Sequence, residues 1–165
     1  MTAIISKRRL AVGGVMLAVA AVAYSVIVAR GHPENAVGLF RPDDPAVVAS
    51  GRVLYVEHCA ACHGDNLEGQ PDWKTRGADG LLPAPPHDET GHTWHHTDDV
   101  LFGITKQGVA RFAGLDDYQS SMQPFEGVLS DDEIIAVLSY IKSRWPEQVR
   151  RRHDQMNAAK AASSG

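Results

Sequence analysis

Cys59-Ala60-Ala61-Cys62-His63 is the segment best equipped for chemistry. Two thiols three residues apart at the end of a helix face one side. Each can then add across one of the two vinyl groups of a haem to form a thioether, and the imidazole of His63 points at the iron. This is the spacing of c-type haem attachment, dictated by the fixed distance between the vinyls and the metal. Other uses of a Cys-x-x-Cys pair fit less well. A thioredoxin-like redox pair belongs at the end of a strand in a βαβ unit, and no strand pattern precedes Cys59. A structural zinc site wants a second ligand pair of similar spacing, and the chain has only 2 cysteines. The same count excludes a disulfide-rich scaffold.

A low-spin electron carrier needs a second axial ligand from the opposite face. Of the 4 methionines, Met1 and Met16 lie in the N-terminal region and Met156 in the C-terminal tail. That leaves Met122, in Tyr118-Gln119-Ser120-Ser121-Met122-Gln123-Pro124-Phe125, a loop upstream of the last expected helix. A lone methionine is ordinarily core filler; beside a haem motif Met122 becomes the expected axial partner of His63. Because a thioether favours ferrous iron, His/Met ligation raises the reduction potential and blocks substrate access. The expectation is therefore one covalent haem c held by Cys59, Cys62, His63 and Met122, with His63 and Met122 on the iron. The expected function is electron transfer rather than catalysis, with no catalytic residue assigned.

The elements that must position these residues read as helices and loops, with no strands. Asp44 suits an N-cap and Pro45 the first helical position, where a missing N–H costs nothing; apolar residues at helical spacing carry that helix to about His58. Residues 64–96 carry prolines and glycines without sustained periodicity and read as a long ordered loop, which needs something to pack on. A second helix starts at Thr97, with Asp98 and Asp99 at the positive end of its dipole, and ends at Gly108. The third opens with the capping box Ser130-Asp131-Asp132-Glu133. It carries Ile134, Val137, Leu138, Ile141 and Trp145 on one face until Pro146 stops it. Residues 147–165 read as a polar tail, a frayed helix followed by disorder.

Leu10 to Ala29 is an uncharged, mostly apolar run of 20 residues. As a helix it spans about 30 Å, roughly the hydrocarbon thickness of a bilayer. Lys7, Arg8 and Arg9 precede it and Arg30 follows, which puts the N-terminus in the cytoplasm and the remainder outside. Ala21-Val22-Ala23 also fits a signal cleavage site, but the apolar run continues past it, so the expected form is an uncleaved anchor. The chain then divides into a transmembrane segment (1–30), a Pro- and Gly-containing tether (31–44), one domain (45–146) and the polar tail (147–165). The 135 residues beyond Arg30 are enough for one domain, not two. Residues 46–145 contain 30 large apolar or aromatic side chains, a lean core that a bulky apolar cofactor would complete. Of 16 basic and 20 acidic residues, Lys7, Arg8, Arg9 and Arg30 flank the apolar run, so the rest carries 12 against 20, a balance of −8. No basic stripe is present for nucleic acid.

Over residues 46–145 the chain resembles the class I cytochrome c family. The likeness rests on Gly51 and Tyr55 in the first helix, Cys59, Cys62 and His63, Leu101 through Gly108, Met122, and Leu138-Ser139-Tyr140-Ile141 in the last helix. It implies an all-α fold of three main helices and long loops around one covalent haem, the first and last helices crossing closely at Gly51 against Tyr140. It also implies that a backbone carbonyl of the LLPAPPHD run, at Pro85 or Pro86, accepts from the proximal imidazole. One departure is local: the family usually has proline directly after the ligand methionine, and here Gln123 precedes Pro124.

His87, His92, His95 and His96 lie within ten residues, with Trp94 among them. Four imidazoles could bind copper or zinc; alternatively one packs by a haem propionate, Trp94 lies near the haem edge and the rest are solvated. The expected function is a single-pass carrier of the bacterial inner membrane with its haem domain in the periplasm. It would pass single electrons from a respiratory donor complex to an acceptor such as a terminal oxidase or reductase. The alternatives are a haem-bearing subunit of a dehydrogenase complex and a periplasmic metal-handling or sensing haem protein.

Overall fold

The computed structural model describes residues 38–115 and 117–164. The segment Leu10–Ala29, expected to span a membrane, lies outside them, and no helix among the described residues is long and apolar enough to do so. These residues form helices α1 (Pro45–His58), α2 (Ala60–His63), α3 (Asp98–Gln107), α4 (Val109–Ala113), α5 (Asp131–Ser143) and α6 (Glu147–Ser163), with a 3-10 turn at Thr93–His95. Among them there is no strand, only an isolated bridge between Glu126 and Leu129.

Local chemistry sets the helix ends where the sequence puts them. The Asp44 carboxylate accepts from the N–H groups of Ala46 and Val47 at 3.0 and 3.3 Å, and Pro45 opens α1. Ser130 accepts from the Glu133 N–H while Glu133 accepts from the Ser130 N–H, closing the capping box of α5. α1 and α5 cross at Gly51: a Cβ there would lie 1.9 Å from the Ala136 carbonyl oxygen and 3.1 Å from the Tyr140 Cβ. Only hydrogen fits, so any side chain at 51 forces the two backbones apart. One turn on, Tyr55 is fully buried with its ring 5.4 Å from that of Tyr140. Leu101, Phe125, Leu129, Ile134, Val137, Ile141 and Trp145 complete the same core.

Residues 64–96 contain only the 3-10 turn, yet they are tied internally. The N–H of Gly69 donates to the His63 carbonyl at 2.8 Å, that of Gln70 to Ala84 at 2.9 Å, and that of His87 to Leu67 at 2.7 Å. Leu67 has a left-handed φ of 72° and is 1% exposed. Backbone strain of that kind persists only where surroundings hold it, and here a buried side chain and an accepting carbonyl do so.

The two ends of the described chain differ from the expectation. Residues 147–163 form the 17-residue α6, with His153 and Asn157 buried against the domain. Nor is 38–44 a free tether: Phe40 is buried, its N–H donates to Asp98 at 3.1 Å, the Arg41 N–H donates to Ser139 Oγ at 2.9 Å, and Asp43 pairs with Arg150. Both segments converge on Asp98, where a buried carboxylate replaces the apolar contacts that hydrophobic periodicity detects.

Candidate haem site

Cys59 ends α1, its N–H donating to the Tyr55 carbonyl at 2.9 Å, and it also starts α2, so the helix turns sharply there. That brings Cys59, Cys62 and His63 onto one short turn. Both thiols are free; Cys59 is half-buried and Cys62 exposed. Burial, and next the proximity of Cys62, push the Cys59 thiol up to about 11, so it stays protonated at neutral pH.

The His63 ring is buried, with Nδ1 2.9 Å from the Pro85 carbonyl oxygen. Of the two prolines left open, Pro85 makes this contact. With Nδ1–H donating to Pro85, the lone pair of Nε2 is left for a metal. The Tyr55 hydroxyl donates to the Gly64 carbonyl at 2.8 Å and fixes the end of the turn. Met122 belongs to a different segment, between α4 and α5. It is half-buried and packs against the core, as Cys59, Trp94 and Phe102 also do.

The four neighbouring histidines do not converge. His87 stacks on His63 at 4.0 Å between centroids, His92 on Trp73 at 5.2 Å, and His95 on Trp94 at 3.7 Å. His92 and His96 are 5.5 Å apart edge to face, and burial together with neighbouring imidazoles lowers both below the usual histidine range. Among the described residues no group of three or more His, Cys, Asp or Glu side chains is arranged to hold a metal ion. The copper or zinc alternative is not assembled: aromatic partners have taken up the rings.

A buried polar cluster under α6 went unforeseen. Asp98 accepts from the Phe40 N–H and from Asn157 Nδ2, the latter at 3.0 Å. Lys142 Nζ is 2.6 Å from Asp154 and 3.9 Å from Asp98. His153 Nε2 donates to the His96 carbonyl at 2.9 Å, and Trp145 Nε1 donates to the His87 carbonyl at 2.7 Å. Among the described residues no buried side-chain nitrogen or oxygen lacks a partner. Val149, His153, Met156 and Asn157 stand at helical spacing, a stripe that tail-like composition conceals because half of it is polar.

A family model described as cytochrome C oxidase, cbb3-type, subunit III, matches residues 46–141. The chain belongs to this family of c-type cytochromes. Relatives match it in part. "Cbb3-type cytochrome c oxidase subunit FixPc" of Rhizobium leguminosarum bv. viciae is 38% identical over 28% of this chain and 21% of its own length. "Cytochrome bc1 complex cytochrome c subunit" of Corynebacterium diphtheriae is 35% identical over 39% of this chain and 23% of its own. "Alcohol dehydrogenase (quinone), dehydrogenase subunit" of Acetobacter aceti is 28% identical over 67% of this chain and 12% of its own. The chain thus spans less than a quarter of each of these relatives. No solved structure matches it.

This c-type cytochrome carries covalently bound haem c and serves electron transfer. The residues present fit that group: two free thiols at the attachment spacing, and an imidazole whose Nδ1 is already engaged.

Proposed function

We propose that this cytochrome is a membrane-anchored, single-pass monohaem carrier of the bacterial inner membrane. Its haem domain stands in the periplasm and passes single electrons between a respiratory donor complex and an acceptor such as a terminal oxidase or reductase. Cys59 and Cys62 provide the thioether sulfurs, His63 Nε2 the proximal iron ligand and Met122 the distal one. The haem, when bound, supplies a one-electron ferric/ferrous couple. The chain's own part is to hold the imidazole in one tautomer through Pro85 and to close the opposite side with a thioether that leaves no position for a substrate. The observation that carries this reading is the His63–Pro85 hydrogen bond beside two free thiols.

The deciding experiment is spectroscopic. Met122→Ala removes the far-red sulfur-to-iron charge-transfer band of the oxidised protein and lowers its potential, and it admits carbon monoxide to the reduced protein. Met156→Ala does none of these. Persistence of the band in Met122→Ala would show that another group holds the iron. The membrane part of the reading is checked separately: deleting residues 1–30 behind a cleavable export signal keeps the haem spectrum but releases the protein from membranes.

One observation favours a second reading, a haem-bearing electron-transfer subunit of a larger complex. The three relatives above carry names of an oxidase subunit, a bc1-complex subunit and a dehydrogenase subunit. Co-purification of the full chain with a fixed stoichiometry of partner subunits in mild detergent favours this reading over a free carrier.

A further inference from the structure

α6 bears directly on the loop that carries Pro85. Trp145, just before α6, donates from Nε1 to the His87 carbonyl, two residues beyond Pro85. His153 donates from Nε2 to the carbonyl of His96, at the far end of the same loop. The two rings meet edge to face at 5.0 Å, so the donors brace each other. Asn157 fixes the next residues, accepting from the Asp98 N–H at 2.9 Å. Within the loop, Thr93 Oγ1 lies 2.8 Å from His87 Nδ1 and 3.4 Å from the Pro86 carbonyl, and the His96 N–H donates to the Thr93 carbonyl at 3.1 Å, so hydrogen bonds link His96 back to Pro86. The only cations of α6 are Arg150, Arg151, Arg152 and Lys160. They pair with Asp43, with Glu147, with the face of Trp94 and with Asp99, so each of them is engaged within the chain.

We propose that Trp145 and His153 are positioning residues for the proximal imidazole: by holding the carbonyls of His87 and His96 they fix the Pro85 carbonyl against His63 Nδ1–H. The proposal rests on the reading that His63 is an iron ligand. A carbonyl pressed onto Nδ1–H raises the basicity of the ligating nitrogen, which stabilises ferric iron and keeps the potential lower than an untethered imidazole would. Through α6, the C-terminal segment would therefore set the redox poise of a site it does not touch.

The test uses the full-length holoprotein. Trp145→Phe keeps an aromatic ring, smaller than the indole, and deletes the donor; His153→Leu deletes the donor to His96, whereas His153→Gln retains an N–H directed at the same carbonyl. Trp145→Phe and His153→Leu should each raise the midpoint potential, with covalent haem and the far-red band retained. The His63 Nδ1 proton resonance of the reduced protein should shift towards a weaker hydrogen bond, and His153→Gln should restore both values. If Trp145→Phe fails to fold, the His153 pair decides alone. An unchanged potential in the folded donor-deleting variants overturns the proposal. So does a shift that His153→Gln leaves uncorrected, which assigns the effect to lost packing. His63→Ala serves as control: if it leaves the low-spin spectrum intact, the ligand reading itself has failed, and the proposal falls with it.

Discussion

His63 and Met122 sit in surroundings built differently. His63 is buried, its ring is tied to Pro85, and the loop behind that ring is held by its own backbone, by Trp145 and by His153 of α6. Met122 lies among exposed residues, Ser120 and Ser121 before it and Gln123 and Pro124 after it. Its N–H donates only to Ser120 Oγ at 3.1 Å, and the chain rejoins the helices at Phe125, whose N–H donates to the Thr105 carbonyl at 3.1 Å. A solvated backbone with few long-range bonds has low local stability. The attachment turn is therefore part of the fold, and the methionine loop is laid upon it.

The largest effect that distinguishes the two comes from the thiols. Cys59→Ser with Cys62→Ser should abolish covalent haem and leave an apo-chain without native helix content, since a lean core loses its largest component. Circular dichroism and acidified organic extraction report this; haem that resists extraction from the double variant would refute thioether attachment. Met122→Ala, by contrast, should keep covalent haem and native helicity while losing its ligand band.

An intermediate effect comes from acid. His153 is fully buried, and burial, with Lys142 next in weight, holds it below the usual histidine range against the opposing pull of Asp98 and Asp154. In the unfolded chain its value returns to about 6.5. The unfolded state then binds more protons between the two values, so stability rises with pH in that window. The stabilisation from a neutral His153 is complete above 6.5. It is lost progressively as pH falls from 6.5 through the lowered folded value, at no more than about 1.4 kcal/mol per pH unit. Amide protection factors in α6, corrected for the intrinsic pH dependence of exchange, should fall as pH is lowered over that range, and His153→Gln should flatten the dependence. Equal pH slopes for the two proteins would place the acid sensitivity elsewhere.

What the sequence made legible follows from how local each signal is. Asp44-Pro45, the Ser130 capping box and Gly108 act on their own turns, and the helices begin and end there. The expectation for Cys59, Cys62 and His63 rests on a spacing that chemistry fixes within five positions; the crossing at Gly51, which the family resemblance implied, is observed where close approach leaves room only for glycine. The choice of Pro85 over Pro86 needed coordinates, since adjacent carbonyls in a proline run differ only in direction. α6 leaves no apolar signal because its buried face is made of His153 and Asn157, and Asp98, the partner of Asn157, lies 59 residues away at the start of α3, where its sequence position fits a dipole-capping acid equally well. Polar burial depends on a partner distant in sequence and leaves no apolar period.

The smallest predicted effect concerns the ion pair beside the methionine loop. Arg111 on α4 lies 2.5 Å from Glu126, a bond that bridges the two ends of the segment holding Met122. Both side chains are largely in water, 66% and 46% exposed. Attraction there is weakened by solvent and salt and offset by the entropy of holding two long side chains, so such a pair contributes about 0–1 kcal/mol. Lys142 meets Asp154 at a similar distance but is itself 3% exposed, and removing it would leave Asp98 buried beside fewer partners. Arg111→Ala should therefore lower thermal stability slightly, by an amount that shrinks as salt is raised, and should leave the far-red band in place. Chemical denaturation at low and high salt measures the first, and absorption of the oxidised protein the second. Loss of the band in Arg111→Ala would mean that the exposed pair holds Met122 on the iron, so the methionine side would depend on a brace much as the His63 side depends on α6.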